Sequence, residues 1–91
     1  MVHLYILYSP SIDRYYIGIA EDVQRRLRQH NSPGSKSWTA RGKPWALVFS
    51  HAFPDRLTAL KVERELKRRR SRKLIEKIVA GIKPLPEPKA R

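Results

Sequence analysis

The chain contains no cysteine among its 91 residues, which excludes a disulfide framework, a thiolate nucleophile and any zinc site that needs cysteine ligands. Its three histidines, His3, His30 and His51, stand at unrelated spacings and do not predict a metal cluster. The sequence lacks a run of about 18 apolar residues, which a membrane-spanning helix needs. It also lacks the basic start and apolar run of a signal peptide. These absences lead us to expect a cytoplasmic protein.

Acidic residues are scarce as well. Eight Asp and Glu stand against 20 Lys and Arg, which gives a formal net charge of +12. A charge of this sign and size predicts a polyanionic partner, with nucleic acid favoured over an acidic membrane surface. The short length and a hydrophobic content of 41% allow one modest core, so we expect a single domain.

Apolar patterning and turn residues predict an α+β fold, a three-stranded antiparallel sheet flanked by helices, with the order β-β-α-β-α-α. The expected strands cover 2–9, 14–20 and 45–53, and the expected helices cover 23–31, 57–70 and 72–79. Asp22, Asp55 and Ser71 each precede a helix and can cap its first turn. Residues 1–82 then form the domain, and a flexible basic tail with three prolines follows at 83–91.

The first two strands predict a hairpin whose register places two tyrosines on one face. If residues 10–13 form the turn, Leu7 lies opposite Tyr16 and Tyr5 lies opposite Gly18. The two tyrosines are then diagonal neighbours, and the glycine leaves space beside the Tyr5 ring. Two interpretations remain open, since the pair is either ordinary core packing or part of a functional site.

Polar groups lie on or beside the apolar faces of two predicted helices. Glu63 shares a helix face with Ala59 and Leu66, where a carboxylate costs free energy unless a cation or hydrogen-bond donors compensate it. It is either an arginine-paired structural residue or a ligand for a divalent cation. On the first helix, Arg26 and His30 are four residues apart and share a face at the edge of its apolar stripe. That pair is a surface feature unless Glu63 and other polar groups converge on it.

Charge is densest between Lys61 and Lys77, where nine basic residues stand against three acidic ones. Within this stretch, residues 67–73, which we call the basic segment, carry six basic residues and no acidic one. Such an unbalanced run repels itself unless a polyanion is near, so we expect it to contact phosphates. A solvated helix face is the alternative. Glu65 is expected to form surface ion pairs with Lys61, Arg68 and Arg69, which lie on its side of the helix.

A second basic stretch is the long irregular loop at 32–44, and loops of this length in small domains are often functional. Trp38 within it either packs against the domain or stacks on an unpaired base. The candidate nucleic-acid-binding residues from the loop and the basic segment are Lys36, Arg41, Lys43, Lys67, Arg68, Arg69, Arg70, Arg72 and Lys73.

Together these residues resemble the GIY-YIG nuclease superfamily, which includes homing endonucleases, some restriction enzymes, an N-terminal module of excinuclease and the structure-specific Slx nucleases. The chain is most similar to small stand-alone bacterial members. Leu4 takes the place of the glycine in the first motif, while the tyrosine is retained. The resemblance covers about residues 3–79 and is carried by Tyr5-Ile6-Leu7, Tyr16-Ile17-Gly18, Arg26 with His30, and Glu63.

The resemblance implies a divalent-metal-dependent DNA endonuclease that acts in DNA repair or processing. Glu63 would hold a single Mg²⁺ or Mn²⁺ that polarises the scissile phosphate, and Arg26 would bind that phosphate as charge develops on it. Tyr5 would help to activate the attacking water, with Tyr16 and His30 holding its hydrogen bonds. His30 is the rival base, since its unperturbed pKa of about 6.5 is nearer neutrality than the value of about 10 for tyrosine.

The alternative function is a non-catalytic nucleic-acid-binding module on the same scaffold. Retention of the five motif residues argues against it, whereas the absence of a DNA-targeting module within these 91 residues argues for it. DNA is favoured over RNA as the partner, together with an unidentified protein that supplies targeting. Membrane binding is disfavoured because the arginine-rich helix has no bulky aromatic face to insert.

Overall fold

The structure, a computed structural model, describes residues 1–33 and 41–87. Over these residues the predicted α+β class and element order are confirmed. The central strand β1 pairs antiparallel with β2 on one side and with β3 on the other. β3 begins one residue later than predicted and α2 begins one residue earlier. The elements are β1 (Val2–Ser9), β2 (Arg14–Ala20), α1 (Val23–His30), β3 (Ala46–Phe53), α2 (Arg56–Arg69) and α3 (Arg72–Val79).

Each helix begins after the capping residue that the sequence indicated. The side chains of Asp22, Asp55 and Ser71 accept hydrogen bonds from backbone N–H groups three residues further on, at 3.0, 2.8 and 3.1 Å. These bonds satisfy N–H groups that have no partner inside the helix. At the other end of α2, Arg70 takes the left-handed conformation, with φ 47° and ψ 39°.

The hairpin register is the one predicted from the sequence. Leu7 pairs with Tyr16 and Tyr5 pairs with Gly18, while Ser9 and Arg14 flank the turn. Because side chains alternate across a strand, Tyr5, Leu7 and Tyr16 lie on the same face of the sheet. This face carries the candidate site.

The two faces of the sheet are packed by different helices. On one face, Leu4, Ile6 and Ile17 form a core with residues of α2 and α3. On the other face, Val23 and Leu27 of α1 pack against the cluster that contains Tyr5 and Leu7. The sheet is therefore covered on both sides, and the tyrosines lie on the α1 side. The buried members of the α2–α3 core are Leu4, Ile6, Ile17, Val62, Leu66 and Ile78.

A side-chain amide joins the end of α1 to the start of β3. Asn31 Oδ1 accepts a hydrogen bond from the Trp45 backbone N–H at 2.7 Å, and Asn31 Nδ2 donates to the Trp45 carbonyl at 3.1 Å. This pairing satisfies both backbone groups of a residue that is 3% exposed. It also fixes the last residue of α1, His30, which precedes Asn31 in the chain.

Leu85 lies within the segment 83–91 that we expected to be flexible. It is half-buried and packs against the core formed by α2 and α3. Residues 88–91 of that segment lie outside the described residues. Within residues 1–33 and 41–87, no helix has both the length and the apolar character needed to cross a membrane.

Candidate active site

Three rings meet where β1, β2 and the end of α1 adjoin. The Tyr5 hydroxyl oxygen lies 3.2 Å from His30 Nε2. The rings of Tyr16 and His30 meet edge to face, with centroids 4.6 Å apart, and the Tyr5 and Tyr16 centroids are 6.2 Å apart. The tyrosine pair predicted from the hairpin register is thus joined by the histidine that ends α1.

The Tyr5 hydroxyl is enclosed by its neighbours. The residue is 1% exposed, and a Cβ atom at Gly18, its partner on β2, would lie 2.7 Å from the hydroxyl oxygen. Burial first, and then the Tyr16 hydroxyl, raise the pKa of Tyr5 above its ordinary value; Glu63 also raises it, whereas the Arg26 guanidinium lowers it. The phenol therefore keeps its proton in the protein without a bound cation.

The imidazole of His30 also favours its neutral form, which for histidine means a lowered pKa. It is 9% exposed, and burial, together with the positive charge of Arg26, lowers the pKa of His30 below its ordinary value. Because the ordinary value is about 6.5, the ring is neutral at pH 7. A neutral imidazole next to a protonated phenol provides one acceptor and one donor at the centre of the cluster.

Groups of opposite charge act on this cluster from two helices. Arg26 is exposed on α1, and its guanidinium shifts the pKa of both Tyr5 and His30. Glu63 of α2 is 14% exposed, and its carboxylate accepts an ion pair from Lys67 at 3.1 Å. The same carboxylate acts on the pKa of Tyr5. The other four residues that the sequence singled out as catalytic candidates therefore act on the buried hydroxyl group of Tyr5, His30 by contact and the rest through their effect on its pKa.

Glu63 is the candidate metal ligand, and the structure limits how a metal would be held. Among residues 1–33 and 41–87, no group of three or more His, Asp or Glu side chains is arranged to hold a metal ion. A cation at Glu63 would have this one carboxylate and would take most of its other ligands from water and substrate. Mg²⁺ is commonly bound in this way, by one or two carboxylates, several waters and substrate phosphates.

Glu65 differs from its prediction in two respects. The expected partners are correct for two arginines, since Arg68 and Arg69 donate to its carboxylate at 2.7 and 3.0 Å. The surface position was wrong, because Glu65 is 6% exposed, and Lys61 forms no ion pair with it in the described chain. The two guanidinium groups lower the pKa of the Glu65 carboxyl to about 2. This buried carboxylate therefore stays charged, and it engages two of the basic residues assigned to phosphate binding.

The rest of the basic segment is partly neutralised as well. Arg72 donates to Asp13 at 2.6 Å and to Glu76 at 3.0 Å. With the ion pairs described above, four of the six basic residues in the segment have a carboxylate partner. Within the described chain, Arg70 and Lys73 have none. The segment is therefore less unbalanced in the folded protein than its sequence indicates.

The candidate nucleic-acid-binding residues of the loop at 32–44 differ in their exposure and contacts. Lys36 and Trp38 lie outside the described residues. Arg41 is exposed, whereas Lys43 is half-buried and its ammonium group donates to the Ser32 carbonyl at 2.5 Å. Lys43 therefore joins the two described ends of the loop, in addition to any contact with nucleic acid.

Sequence reasoning did not place Trp45 in the site. Its ring is buried in the cluster that contains Tyr5, and its centroid lies 6.3 Å from that of Tyr16. The sequence showed an apolar residue at the start of a strand, which carries no signal for this contact. The nearest signal was Asn31, an amide at a helix end, but no spacing rule links it to a residue fourteen positions further on.

Comparison with known proteins identifies the family of the chain. A family model described as the GIY-YIG catalytic domain matches residues 1–76. A UPF0213 protein of Xanthomonas campestris pv. campestris is 36% identical over 83 residues, which are 90% of this chain and 80% of that protein. The solution NMR structure of a UPF0213 protein from Bacillus halodurans superposes with a TM-score of 0.54 at 33% identity, covering 88% of this chain and 84% of that one.

A similarity over a shorter part of the chain is to proteins named as nucleases. The structure-specific endonuclease subunit slx1 of Schizosaccharomyces pombe is 45% identical over 51 residues, which are 53% of this chain and 19% of that protein. The match to the family model, by contrast, runs over most of the chain. By this match and by its bacterial relatives, the chain belongs to the GIY-YIG catalytic-domain family.

Proposed function

We propose that this protein is an endonuclease that hydrolyses phosphodiester bonds in DNA with the help of a divalent cation. The observation that carries the proposal is the 3.2 Å approach of the Tyr5 hydroxyl to His30 Nε2. The charges of the Arg26 guanidinium and the Glu63 carboxylate also act on this hydroxyl. A site for phosphodiester hydrolysis needs a proton acceptor, a donor to the phosphate and a cation ligand. His30, Arg26 and Glu63 can supply these three functions.

The residues present fit a single hydrated Mg²⁺ or Mn²⁺. Glu63 presents a carboxylate that is 14% exposed, and its partner Lys67 is 53% exposed and able to move away. When bound, such a cation polarises the scissile phosphate and stabilises the leaving oxygen. Arg26 would hold the same phosphate, because a guanidinium offers two parallel N–H groups to two oxygens.

The proton chemistry follows from the two rings at the centre. With His30 neutral and Nε2 unprotonated, the Tyr5 hydroxyl would donate to Nε2, and its oxygen would be left to accept a hydrogen bond from an attacking water. When the water gives a proton to the Tyr5 oxygen, the original phenol proton of Tyr5 passes to His30 Nε2. The Tyr16 ring packs against the imidazole and holds it in this position. We therefore assign His30 as the final acceptor and Tyr5 as the group that contacts water.

The first test is cleavage of plasmid, branched and single-stranded DNA by the purified protein. We expect cutting with Mg²⁺ or Mn²⁺ and none after chelation with EDTA, while salt-sensitive binding persists without the metal because basic residues supply it. Gel assays of cleavage and fluorescence anisotropy of binding measure the two separately. Binding without cutting on all three substrates would contradict the proposal and would support a non-catalytic nucleic-acid-binding module.

The pH dependence tests the assignment of His30. Its neutral form accepts the proton, so kcat/KM should rise with pH through a pKa below about 6.5 and be flat above it. Replacement His30→Gln should remove this acidic limb and lower the plateau by about 100-fold or more. The measurement is kcat/KM between about pH 5 and 8 for both proteins. An identical acidic limb in the variant would show that another group titrates.

Substrate class and partners extend the proposal. Relatives named structure-specific endonuclease subunits support a preference for branched DNA, and with it a role in DNA repair or processing. The word subunit in those names supports a protein partner that supplies targeting. A branched substrate that is cut faster than a linear duplex of equal length would support the preference.

A further inference from the structure

We infer that the outer edge of β2 binds a backbone phosphate of the substrate strand next to the cleavage site, with Arg70 as the phosphate-binding residue. The inference rests on the proposed nuclease function and adds the route by which the strand leaves the site. It also gives Arg70 a role of its own, whereas from the sequence all basic residues of the basic segment were equal candidates for phosphate binding.

Two adjoining cavities form a groove along this edge, which we call the β2-edge groove. β2 is an outer strand of the sheet, so its free edge faces away from β1. A cavity of about 340 Å³ lies beside Tyr16 and is also lined by Lys67 and Arg70. A second cavity of about 480 Å³ shares Arg70 and Tyr15 with the first and continues to Arg72 and to Asp13, whose carboxylate is paired with Arg72. The groove therefore starts at a catalytic candidate, and Arg70 lies where its two parts meet.

The charge of Arg70 is available to a ligand. Arg68 and Arg69 are engaged by the buried Glu65, and Arg72 is engaged by two carboxylates. The Arg70 side chain is exposed and has no hydrogen bond or ion pair with any residue of the described ranges. Since the first cavity has no carboxylate in its lining, the field there is positive and suits a phosphate diester.

The backbone of Arg70 gives independent support. The residue ends α2 with φ 47°, a left-handed conformation that is disfavoured for any residue with a Cβ atom and in which helices usually place glycine. Its one backbone hydrogen bond at this turn, from its N–H to the Lys67 carbonyl, would form equally well with glycine. Arginine here is thus unfavourable for the fold, and such positions are often functional.

The cavity on the other side of the site is a weaker candidate. It lies beside Arg26 and is also lined by Arg25 and Arg56. However, Glu21 and Asp22 belong to the same lining and form no ion pair in the described chain, so they repel a phosphate, whereas Asp13 of the β2-edge groove is paired with Arg72. The β2-edge groove is therefore the surface that the charges favour for the strand.

The test compares Arg70→Gly with Arg28→Gln, which removes one charge from an exposed residue of α1 that lines neither cavity of the groove. Binding of a single-stranded oligonucleotide is measured in EDTA, so that cleavage plays no part. We expect Arg70→Gly to keep or raise the melting temperature, because glycine suits the left-handed turn. It should weaken binding about tenfold at low salt and reduce the slope of log K against log salt by about 0.7, the value for one phosphate of a single strand.

The position of the contact is tested with oligonucleotides that carry one neutral methylphosphonate linkage at successive positions. At the linkage that Arg70 contacts, wild type and Arg70→Gly should bind equally, and this linkage should lie next to the bond that is cut. Three results would each overturn the inference. Arg70→Gly could bind with the affinity and salt slope of wild type, or Arg28→Gln could lose as much affinity as Arg70→Gly. The third is a difference in affinity between wild type and Arg70→Gly that no methylphosphonate linkage removes.

These outcomes are separate from those of the nuclease assay. A wild type that does not cut, combined with the expected loss in Arg70→Gly, would end the nuclease proposal and leave a phosphate-binding groove. Metal-dependent cutting, combined with an Arg70→Gly variant that binds like wild type, would support the nuclease proposal and contradict the binding of a phosphate by Arg70 in the β2-edge groove.

Discussion

Replacement of Glu63 by glutamine or alanine is expected to abolish DNA cleavage while leaving DNA binding intact. Glu63 is the one carboxylate whose charge acts on Tyr5 in the described chain, and it is the candidate ligand of the cation. Loss of a metal-held transition-state charge costs several kcal/mol, so cleavage should fall by at least about 1,000-fold, or about 4 kcal/mol. Binding should persist, because removal of one negative charge does not repel a polyanion. The measurements are single-turnover cleavage and anisotropy on the same substrate.

The matched control for this experiment is Glu87→Gln, which removes the same charge from an exposed residue outside the site. It should cut like wild type. Glu63→Gln keeps the size of the side chain but not its ion pair with Lys67, which is a surface-type pair of small energetic weight, so its melting temperature should stay close to that of wild type. Equal cutting by wild type and Glu63→Gln would show that the activity comes from a contaminant or from another site.

Replacement of Gly18 by alanine is expected to inactivate the protein mainly by displacing the Tyr5 hydroxyl. The new Cβ atom would lie 2.7 Å from the Tyr5 hydroxyl oxygen and 2.8 Å from its Cζ atom, and 3.1 Å from Cε2 of Tyr16. No shift of a flexible chain end relieves this contact, because the Tyr5 ring is buried on all sides. Overpacking of this kind costs about 1–3 kcal/mol of stability. Displacement of the hydroxyl by about 1 Å should lower kcat about 100-fold.

In the Gly18→Ala variant, loss of stability must be distinguished from displacement of the Tyr5 hydroxyl. Ile19→Val provides the control, since Ile19 is the next residue of β2, points to the opposite face and packs on the α2–α3 core. It should cost about 0.5–1.5 kcal/mol of stability and retain its cleavage rate at a temperature where both variants are folded. If Gly18→Ala also retains its rate there, the position of the Tyr5 hydroxyl is not part of the mechanism.

The hairpin and its tyrosine pair could be predicted from sequence because they depend on local rules. A turn of four residues fixes the register, and alternation of side chains then places Tyr5 and Tyr16 on one face. The caps Asp22, Asp55 and Ser71 were visible for the same reason, since a cap acts within three residues. The pairing of Leu7 with Tyr16 is the clearest confirmed case.

The features that were missed depend on contacts between distant parts of the chain. A helical wheel shows only the neighbours of Glu65 on its own helix, so it indicated the two arginines but not the covering that leaves the carboxylate 6% exposed. The Asn31 amide and the Trp45 backbone meet only after α1 and β3 are packed on the sheet. The left-handed turn at Arg70 was invisible too, because an arginine in a basic run gives no sign of its φ angle.

The core on the α2–α3 face joins the first strand, β1, to the third helix, α3. Ile78 of α3 is 1% exposed and packs with Leu4 and Ile6 of β1, and Arg72 holds the hairpin turn through Asp13. A ribosome adds about 5–20 residues per second, so about 4–15 s separate the synthesis of β1 from that of α3. During this interval the apolar face of the hairpin has no α3 to cover it. The nascent chain therefore completes this core only after α3 has been synthesised.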